Sequence, residues 1–490
     1  MTHGLRPEAH VIVVFGGNGD LARRKLLPAL FHLYQEGLLP ERFAVIGSSR
    51  SHMTDSQFRT FARSSVDDFC KCAAHGDEWS IFADRLSYVS HDFVPGATDR
   101  VRDAVLKAEA EIGGEARRLF YLAVPSGAFG SITQALGSSG LTDRARVVYE
   151  KPFGSDRASF RELSRVVSEA LDETQTYRID HFLGKESVQN ILALRFANGM
   201  FEPVWNRNHI DHVQIDVPEE LGIGTRAAFY ESTGALKDML VTHLLQVLSV
   251  VAMEPPASLN SKALIDERVK VFDAMLPLRP ADVVRGQFAG YRELEGVASD
   301  SDTETFIAAR VWIDNWRWAG VPFFLRTGKR LAQSRQTITL AFRTPPRSIF
   351  SGAIAPGERN HLTIELGSQE SVSLHFLAKA PGPSVELGPA RMDFSYGSSF
   401  GSKLVEAYER LLHDALIGDR TLFTRPDGIE RTWDLVGNVL AHPQRALSYE
   451  EGSWGPEAMH DLIAPRRWFL PEPVVEESRS APLLPGADAA

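Results

Sequence analysis

The chemistry in this chain starts at a glycine turn. The apolar run Val11–Phe15 leads into Gly16-Gly17-Asn18-Gly19-Asp20-Leu21-Ala22. From Gly17 the spacing is G-x-G-x-x-A. Glycines there let the backbone bend sharply and approach a pyrophosphate, and the helix that follows points free N–H groups and its positive dipole end at that anion. Gly16, Gly17, Asn18, Gly19, Asp20 and Leu21 are therefore candidate dinucleotide contacts; a plain glycine turn is the alternative reading. A second apolar run ends in Gly47-Ser48-Ser49-Arg50-Ser51, with no acid before Asp55. NAD enzymes usually place an acid here for the ribose hydroxyls, whereas an arginine among hydroxyl side chains suits a 2′-phosphate. Arg50 is read as that contact and NADP as the coenzyme, with a solvated loop arginine as the alternative.

The elements that would position these residues alternate along the first third of the chain. Val11–Phe15, Phe43–Ile46, Leu119–Val124 and Arg146–Tyr149 read as strands. Leu21–Gln35 reads as a helix, with Leu26, Leu27, Leu30, Phe31 and Tyr34 at helical spacing. Strand and helix in this rhythm predict a parallel sheet covered on both faces, an α/β dinucleotide-binding domain of the Rossmann type. Beyond about residue 178 the texture changes. Two helices, near 185–198 and 234–253, precede strands at Phe306–Trp312, Thr337–Phe342, Leu362–Leu366 and Ser371–Phe376, with Pro345-Pro346, Gly352 and Gly367 between them. This predicts an α+β domain with a large, mainly antiparallel sheet. Later helices are expected at Lys403–Leu416 and Gly428–His442. The expected division is 1–178, 179–470 and a mobile tail at 471–490, where three prolines follow Pro471 and four acids oppose one base.

Composition bounds the partners. The chain has 490 residues, of which 43% are hydrophobic and 24% charged, as expected of a globular protein. Fifty-three basic and 63 acidic residues leave a formal charge of -10, which argues against general nucleic-acid binding. Two cysteines, Cys70 and Cys72, exclude a disulfide scaffold or a Cys-rich zinc module and are read as ordinary thiols. The N-terminus lacks a signal-peptide pattern. The long apolar stretch Leu236–Met253 carries Lys237, Asp238, His243 and Gln246, so it reads as a buried helix rather than a membrane span. A cytoplasmic protein without membrane partners is expected.

Across nearly its whole length the chain resembles the glucose-6-phosphate dehydrogenases. The resemblance rests on FGGNGDLARRKLLPALFHL, VVYEKPFGSD, YRIDHFLGKESVQNILALRFAN, FEPVWNRNHIDHVQI, LKDMLVTHLLQ, LRTGKRL and SWGPEAMHDLI, in the family's order. It implies oxidation of glucose 6-phosphate to the 6-phospho lactone with NADP, the opening step of the oxidative pentose phosphate pathway. It also implies a homodimer or a dimer of dimers formed through the second domain's sheet.

The resemblance further implies the site. His243 would be the general base that takes the proton of the anomeric hydroxyl, and Asp180 the carboxylate that orients it and stabilises its imidazolium form. His181 and Lys185, four apart near a predicted helix start, would bind the sugar phosphate, aided by the helix dipole. Glu219 and Asp238 would accept sugar hydroxyls. Lys151 would lie between coenzyme and substrate beside a cis Lys151–Pro152 bond, and Lys329 would be a further substrate lysine. No metal is required by this chemistry.

Two positions depart from the family pattern. Phe182 stands where a tyrosine is usual, a lost donor worth about 1–2 kcal/mol. Ser334 stands where many relatives have a second lysine, with Arg335 beside it. These departures leave open a related sugar dehydrogenase of altered specificity. A non-catalytic NADP sensor is the rival from another class, and the Asp180–His243 pair weighs against it. Because both ligands are polyanions and the chain is acidic, the attracting charge must be local.

Overall fold

The computed structural model describes residues 6–470 except 71, 73–75, 92–98, 348, 351–359, 368–369 and 401–404. The expected tail at 471–490, the turn glycine Gly352 and the start of the helix expected from Lys403 lie outside the described residues.

The first sheet contains β1 (His10–Phe15), β2 (Phe43–Ser49), β3 (Leu86–Ser90), β4 (Arg117–Leu122), β5 (Ala145–Tyr149) and β6 (Thr176–Ile179). Its order is β6-β5-β4-β1-β2-β3, all parallel. Every residue of β1 is buried, which explains why its sequence is a continuous apolar run rather than an alternating one. The strand order reverses between β1 and β4, so a crevice opens at their C-terminal ends, where doubly wound sheets hold ligands.

The second sheet contains β7 (Ile210–Pro218), β8 (Val283–Phe288), β9 (Phe306–Trp312), β10 (Pro322–Gly328), β11 (Thr337–Phe342), β12 (His361–Glu365), β13 (Ser371–Lys379) and β14 (Leu387–Ser395). Two late strands, β15 (Phe423–Thr424) and β16 (Leu447–Tyr449), return to the two sheets. β15 pairs antiparallel with β6 at the edge of the first sheet. β16 closes the second, whose order is β14-β13-β12-β11-β7-β10-β9-β8-β16. Its pairings are antiparallel except β7 with β10 and β8 with β16. The second half of the chain thus completes the first sheet as well as building the second.

Several expected bounds shift for local reasons. β2 continues through Ser49, so Arg50 is the first residue beyond the strand. β4 starts earlier, at Arg117, because the buried guanidinium of Arg118 is paired with Glu109 at 2.7 Å. The expected helix Leu21–Gln35 is a π-type segment, Ala22–Leu26, running into an α-helix, Leu27–Gln35. The helix expected from 234 is interrupted at Gly234 (φ 63°) and restarts as a π-type segment, Leu236–Leu244, before an α-helix, Leu245–Ala252. That whole apolar stretch, long enough to cross a bilayer, is mostly buried as core. Cys70 and Cys72, expected as separate thiols, are joined in a disulfide: their Cα atoms lie 5.1 Å apart, within bonding reach.

One buried group makes the fold sensitive to acid. His10 heads β1, is fully buried, and has Nδ1 2.7 Å from the Glu8 carbonyl oxygen. Burial pushes its pKa down from 6.5 to about 4. Between those values the unfolded chain holds more protons than the folded one, so stability falls as pH drops through that window. The loss between pH 7 and 5 is about 2 kcal/mol. We expect His10→Gln to shrink the pH 7-to-5 drop in thermal unfolding midpoint; an unchanged drop would show that other groups carry it.

Candidate active site

β1 delivers the chain to Gly16, whose φ is +79°. A Cβ there would lie 2.2 Å from the Ala123 carbonyl oxygen, and one on Gly17 would lie 2.8 Å from Gly47 Cα. Both positions therefore require glycine: the turn is wedged between the ends of β4 and β2. The Gly16 and Gly17 amides donate to the Ser48 carbonyl, and Gly19 N to the Gly16 carbonyl. Asn18 approaches Met53, while Asp20 is exposed and holds Arg24 at 2.8 Å. Leu21 is half-buried above the buried Ala22. Arg50 is exposed at the same end of the sheet. The next acid along the chain, Asp55, accepts the Tyr88 amide at 2.8 Å and is committed to the fold. A glycine cradle beside a sheet crevice, with an exposed arginine and Asp55 committed to the fold, fits a dinucleotide with a 2′-phosphate.

Asp180 follows β6, and His243 sits in the π-type segment Leu236–Leu244. The start of that segment is anchored by Glu304, which accepts the Leu236 amide at 3.0 Å and is itself held by Arg285 at 2.6 Å. A Cβ on Gly234 would lie 2.4 Å from the Glu304 carboxylate, so the glycine admits this anchor. His243 Nδ1 then lies 2.6 Å from Asp180 Oδ1, both residues being almost wholly buried. Asp180 Oδ1 also accepts the Phe182 amide at 2.9 Å. The carboxylate holds the imidazole in the tautomer with the proton on Nδ1. Nε2, which has no hydrogen-bond partner among the described residues, is left as the basic atom.

The His181 ring meets His243 edge-on at 4.7 Å and stacks on Tyr408 at 6.1 Å. Burial, then the charges of His243, Lys151 and Lys185, push His181 well below the usual histidine range. Potential ligand atoms of Asp180, His181 and His243 lie within 4.8 Å of one another. At 2.6 Å, however, the Asp180–His243 pair is a direct hydrogen bond, too close for an ion between the two atoms.

The other expected residues arrive as pairs. Lys151 Nζ donates to Asp238 Oδ1 at 2.7 Å, and the Lys151–Pro152 bond is cis. Burial works against the Asp238 charge, but Lys151, His243 and Lys329 outweigh it and hold its pKa below normal. Lys329 donates to Glu219 at 2.6 Å and lies over the Tyr230 ring at 5.9 Å. Lys185 pairs with neither carboxylate. Its ammonium donates to Gln336 Oε1 and the Leu366 carbonyl, both at 2.7 Å, and lies over the Phe182 ring at 4.6 Å.

Both departures have structural outcomes. Phe182 is a buried face beneath Lys185, and Ser334 Oγ accepts the Glu220 amide at 2.8 Å. Arg335 is bound to Glu365 at 2.7 Å rather than standing free. The Ser187 amide, at the helix start expected to face a phosphate, is taken by the Glu370 carboxylate at 2.5 Å.

Sequence reasoning missed Glu150, Tyr121, Tyr408, Tyr230, Gln336 and Glu370. Glu150 precedes Lys151 and accepts the buried Tyr121 hydroxyl at 2.5 Å. Burial raises its carboxyl pKa, and Tyr408 is a further hydrogen-bond partner. The EKP triplet could have flagged Glu150; nothing near Tyr408, Gln336 or Glu370 in sequence marks them.

Residues 13–190 match the family description "Glucose-6-phosphate dehydrogenase, NAD binding domain", and residues 192–469 match its "C-terminal domain". Glucose-6-phosphate 1-dehydrogenase of Rhizobium meliloti is 42% identical, covering 92% of this chain and 95% of its own. Glucose-6-phosphate 1-dehydrogenase 2 of Mycobacterium tuberculosis is 40% identical, covering 94% of each. Among solved structures, a glucose-6-phosphate dehydrogenase in complex with glucose 6-phosphate superposes with a TM-score of 0.87 at 32% identity. It covers 96% of this chain and 100% of that one. The Mycobacterium avium enzyme gives 0.84 at 38% identity, with the same coverage.

Burial lowers the Lys185 pKa to about 8, with Glu370 and Asp180 opposing the shift. The ammonium that would hold a phosphate is present below that value and lost above it. We expect affinity for a phosphate-bearing ligand to weaken as pH rises through about 8, measured by calorimetric titration. Affinity that is flat from pH 7 to 9.5 would remove Lys185 from the phosphate site.

Proposed function

The chain belongs to the glucose-6-phosphate dehydrogenase family, and we infer that it oxidises D-glucose 6-phosphate to 6-phospho-D-glucono-1,5-lactone with NADP as hydride acceptor. This is the first step of the oxidative pentose phosphate pathway. The observation that carries the mechanism is the buried 2.6 Å Asp180–His243 contact.

His243 Nε2 takes the proton of the anomeric hydroxyl as that carbon becomes a carbonyl. Asp180 keeps the proton on Nδ1 and stabilises the imidazolium that results. Bound NADP accepts the hydride leaving the same carbon. His181 and Lys185 hold the phosphate: Lys185 as a charged donor, and His181 as a neutral imidazole, since its pKa is held low. Glu219 and Asp238 accept sugar hydroxyls. Their lysine partners, Lys329 and Lys151, offset the two negative charges and limit repulsion of the anionic substrate. Lys151 also borders the coenzyme.

Gly16, Gly17, Asn18, Gly19, Asp20 and Leu21 receive the pyrophosphate, and Arg50 the 2′-phosphate. The division near residue 178 is proposed as the boundary between coenzyme and substrate domains. β14 and the helix beside it expose Met392 and Phe400, which supports a homodimer contact through the second sheet, with a dimer of dimers as the larger assembly. Both ligands are charged phosphates that do not cross a bilayer unaided, which supports action in the cytoplasm.

His243→Asn is expected to keep the fold and NADP affinity while lowering kcat by about 10²–10⁴-fold. Near wild-type turnover in a folded variant would sink the mechanism. Arg50→Ala is expected to raise KM for NADP by about tenfold or more while barely changing that for NAD, the loss of one charge-assisted contact. Equal losses for both would remove the 2′-phosphate assignment.

A further inference from the structure

Lys185 occupies an unusual position for a phosphate-binding lysine. It is the N-cap of the helix Glu186–Phe196, with φ -69° and ψ 136°, and it makes no side-chain cap. A lysine has no acceptor to offer the first helical amides, and its charge sits badly at the positive end of a helix dipole. Both deficits are met from elsewhere in the fold. Glu370, immediately before β13, accepts the Ser187 amide at 2.5 Å and brings a negative charge to the helix start. The ammonium itself is held by two acceptors of the same sheet, Gln336 before β11 and the Leu366 carbonyl after β12. The sheet therefore holds this lysine in two places: its side chain through Gln336 and Leu366, and the helix start it caps through the bond of Glu370 to the Ser187 amide.

We propose that Glu370 is a positioning residue for glucose 6-phosphate, fixing the helix start so that Lys185 presents its third N–H to the substrate phosphate. The inference rests on the reading of Lys185 as a phosphate ligand. Glu370 does not touch the substrate in this arrangement, because a carboxylate near a phosphate dianion repels it. Its action is through the Ser187 amide and through its charge.

The charge gives a second readout. Among the described residues, the ionisable groups acting on Lys185 are Asp180 on the preceding loop and Glu370 from the sheet; His181 beside Asp180 feels the Lys185 charge, and Tyr396 and Glu186 in turn face Glu370. Glu370 and Asp180 favour the Lys185 ammonium against its burial. Neutralising Glu370 therefore moves the loss of the ammonium to lower pH, while a residue that only capped a helix would leave that pH unchanged.

The experiment compares Lys185→Ala, Glu370→Ala and Glu370→Gln with the full-length enzyme, using steady-state kinetics from pH 6 to 9.5. For Glu370→Ala we expect KM for glucose 6-phosphate to rise about tenfold, as for loss of a cap and of a fixed ligand. Its kcat should stay within about twofold and KM for NADP should be unchanged. Glu370→Gln retains an acceptor oxygen for Ser187. It should recover most of the neutral-pH KM, while the alkaline fall of kcat/KM for glucose 6-phosphate begins about half a pH unit earlier.

The proposal is overturned by an unchanged KM for glucose 6-phosphate in Glu370→Ala. It is equally overturned by a fall in kcat in place of that rise, or by an alkaline limb in Glu370→Gln that coincides with wild type. If Glu370→Ala does not fold, the Glu370→Gln limb decides. Lys185→Ala separates the two levels. If it leaves KM unchanged, the phosphate assignment of Lys185 has failed. If it raises KM and the Glu370 variants behave as wild type, only the role of Glu370 has failed.

Discussion

A histidine and a carboxylate 63 residues apart in the chain meet at 2.6 Å in the interior, and much of the architecture exists to permit that contact. Asp180 is carried out of the first sheet by β6. His243 is carried by a helical segment packed beneath the second sheet. Burying an aspartate costs several kcal/mol unless its charge is met; here His243 Nδ1 and the Phe182 amide both bond Oδ1, while Oδ2 has no hydrogen-bond partner among the described residues. The start of the His243 segment is held in turn by Glu304 and Arg285, with Gly234 making room. Small displacements anywhere in this series would lengthen the contact, so the two domains cannot drift independently at this point.

Charge is distributed by the same rule. The chain carries -10 overall, yet its proposed ligands are anions. The cations around the site are not loose: Lys151 is held by Asp238, Lys329 by Glu219, and Lys185 by two neutral oxygens. The partners of Lys185 are neutral. With no carboxylate in direct contact, burial lowers its pKa to about 8, and below that value its ammonium stands toward an incoming phosphate without a contact ion pair. Pairing with Lys151 and Lys329 lets the two carboxylates proposed for the sugar hydroxyls stand in the site without building a net negative pocket.

The late part of the chain contributes more than its position suggests. Tyr408 reaches back to stack on His181 and bond Glu150, and β15 completes the edge of the first sheet beside β6. The strand that delivers Asp180 is therefore pinned from both sides. The site is a joint product of segments near residues 150, 180, 240, 330, 370 and 408, and no contiguous stretch contains it.

Some of this was legible in the residues alone. The glycine turn, the apolar run before it and the arginine after β2 obey local rules, because backbone bending and anion contact are decided over a few residues. Strand periodicity marked β1, β2, β4, β5, β9, β11, β12 and β13; it missed β3, β6, β7, β8, β10, β14, β15 and β16, and the π-type widening of two helices. The motifs RIDHFLGKE and LKDMLVTHLLQ marked Asp180, His181, Lys185, Asp238 and His243 through resemblance. Neither motif carries the partner of any of these residues. Lys185 looked like a phosphate site at an open helix start, but Glu370, from a distant strand, already takes the Ser187 amide there. Arg335 looked like a replacement for the lysine absent at Ser334, but it is bound to Glu365. The sequence determined which groups are present and which backbone turns are possible, since those depend on neighbours in the chain. The tertiary structure decided which charges are paired, which nitrogen of His243 is left basic and which loops hold Lys185, since those depend on atoms that only folding brings within 3 Å.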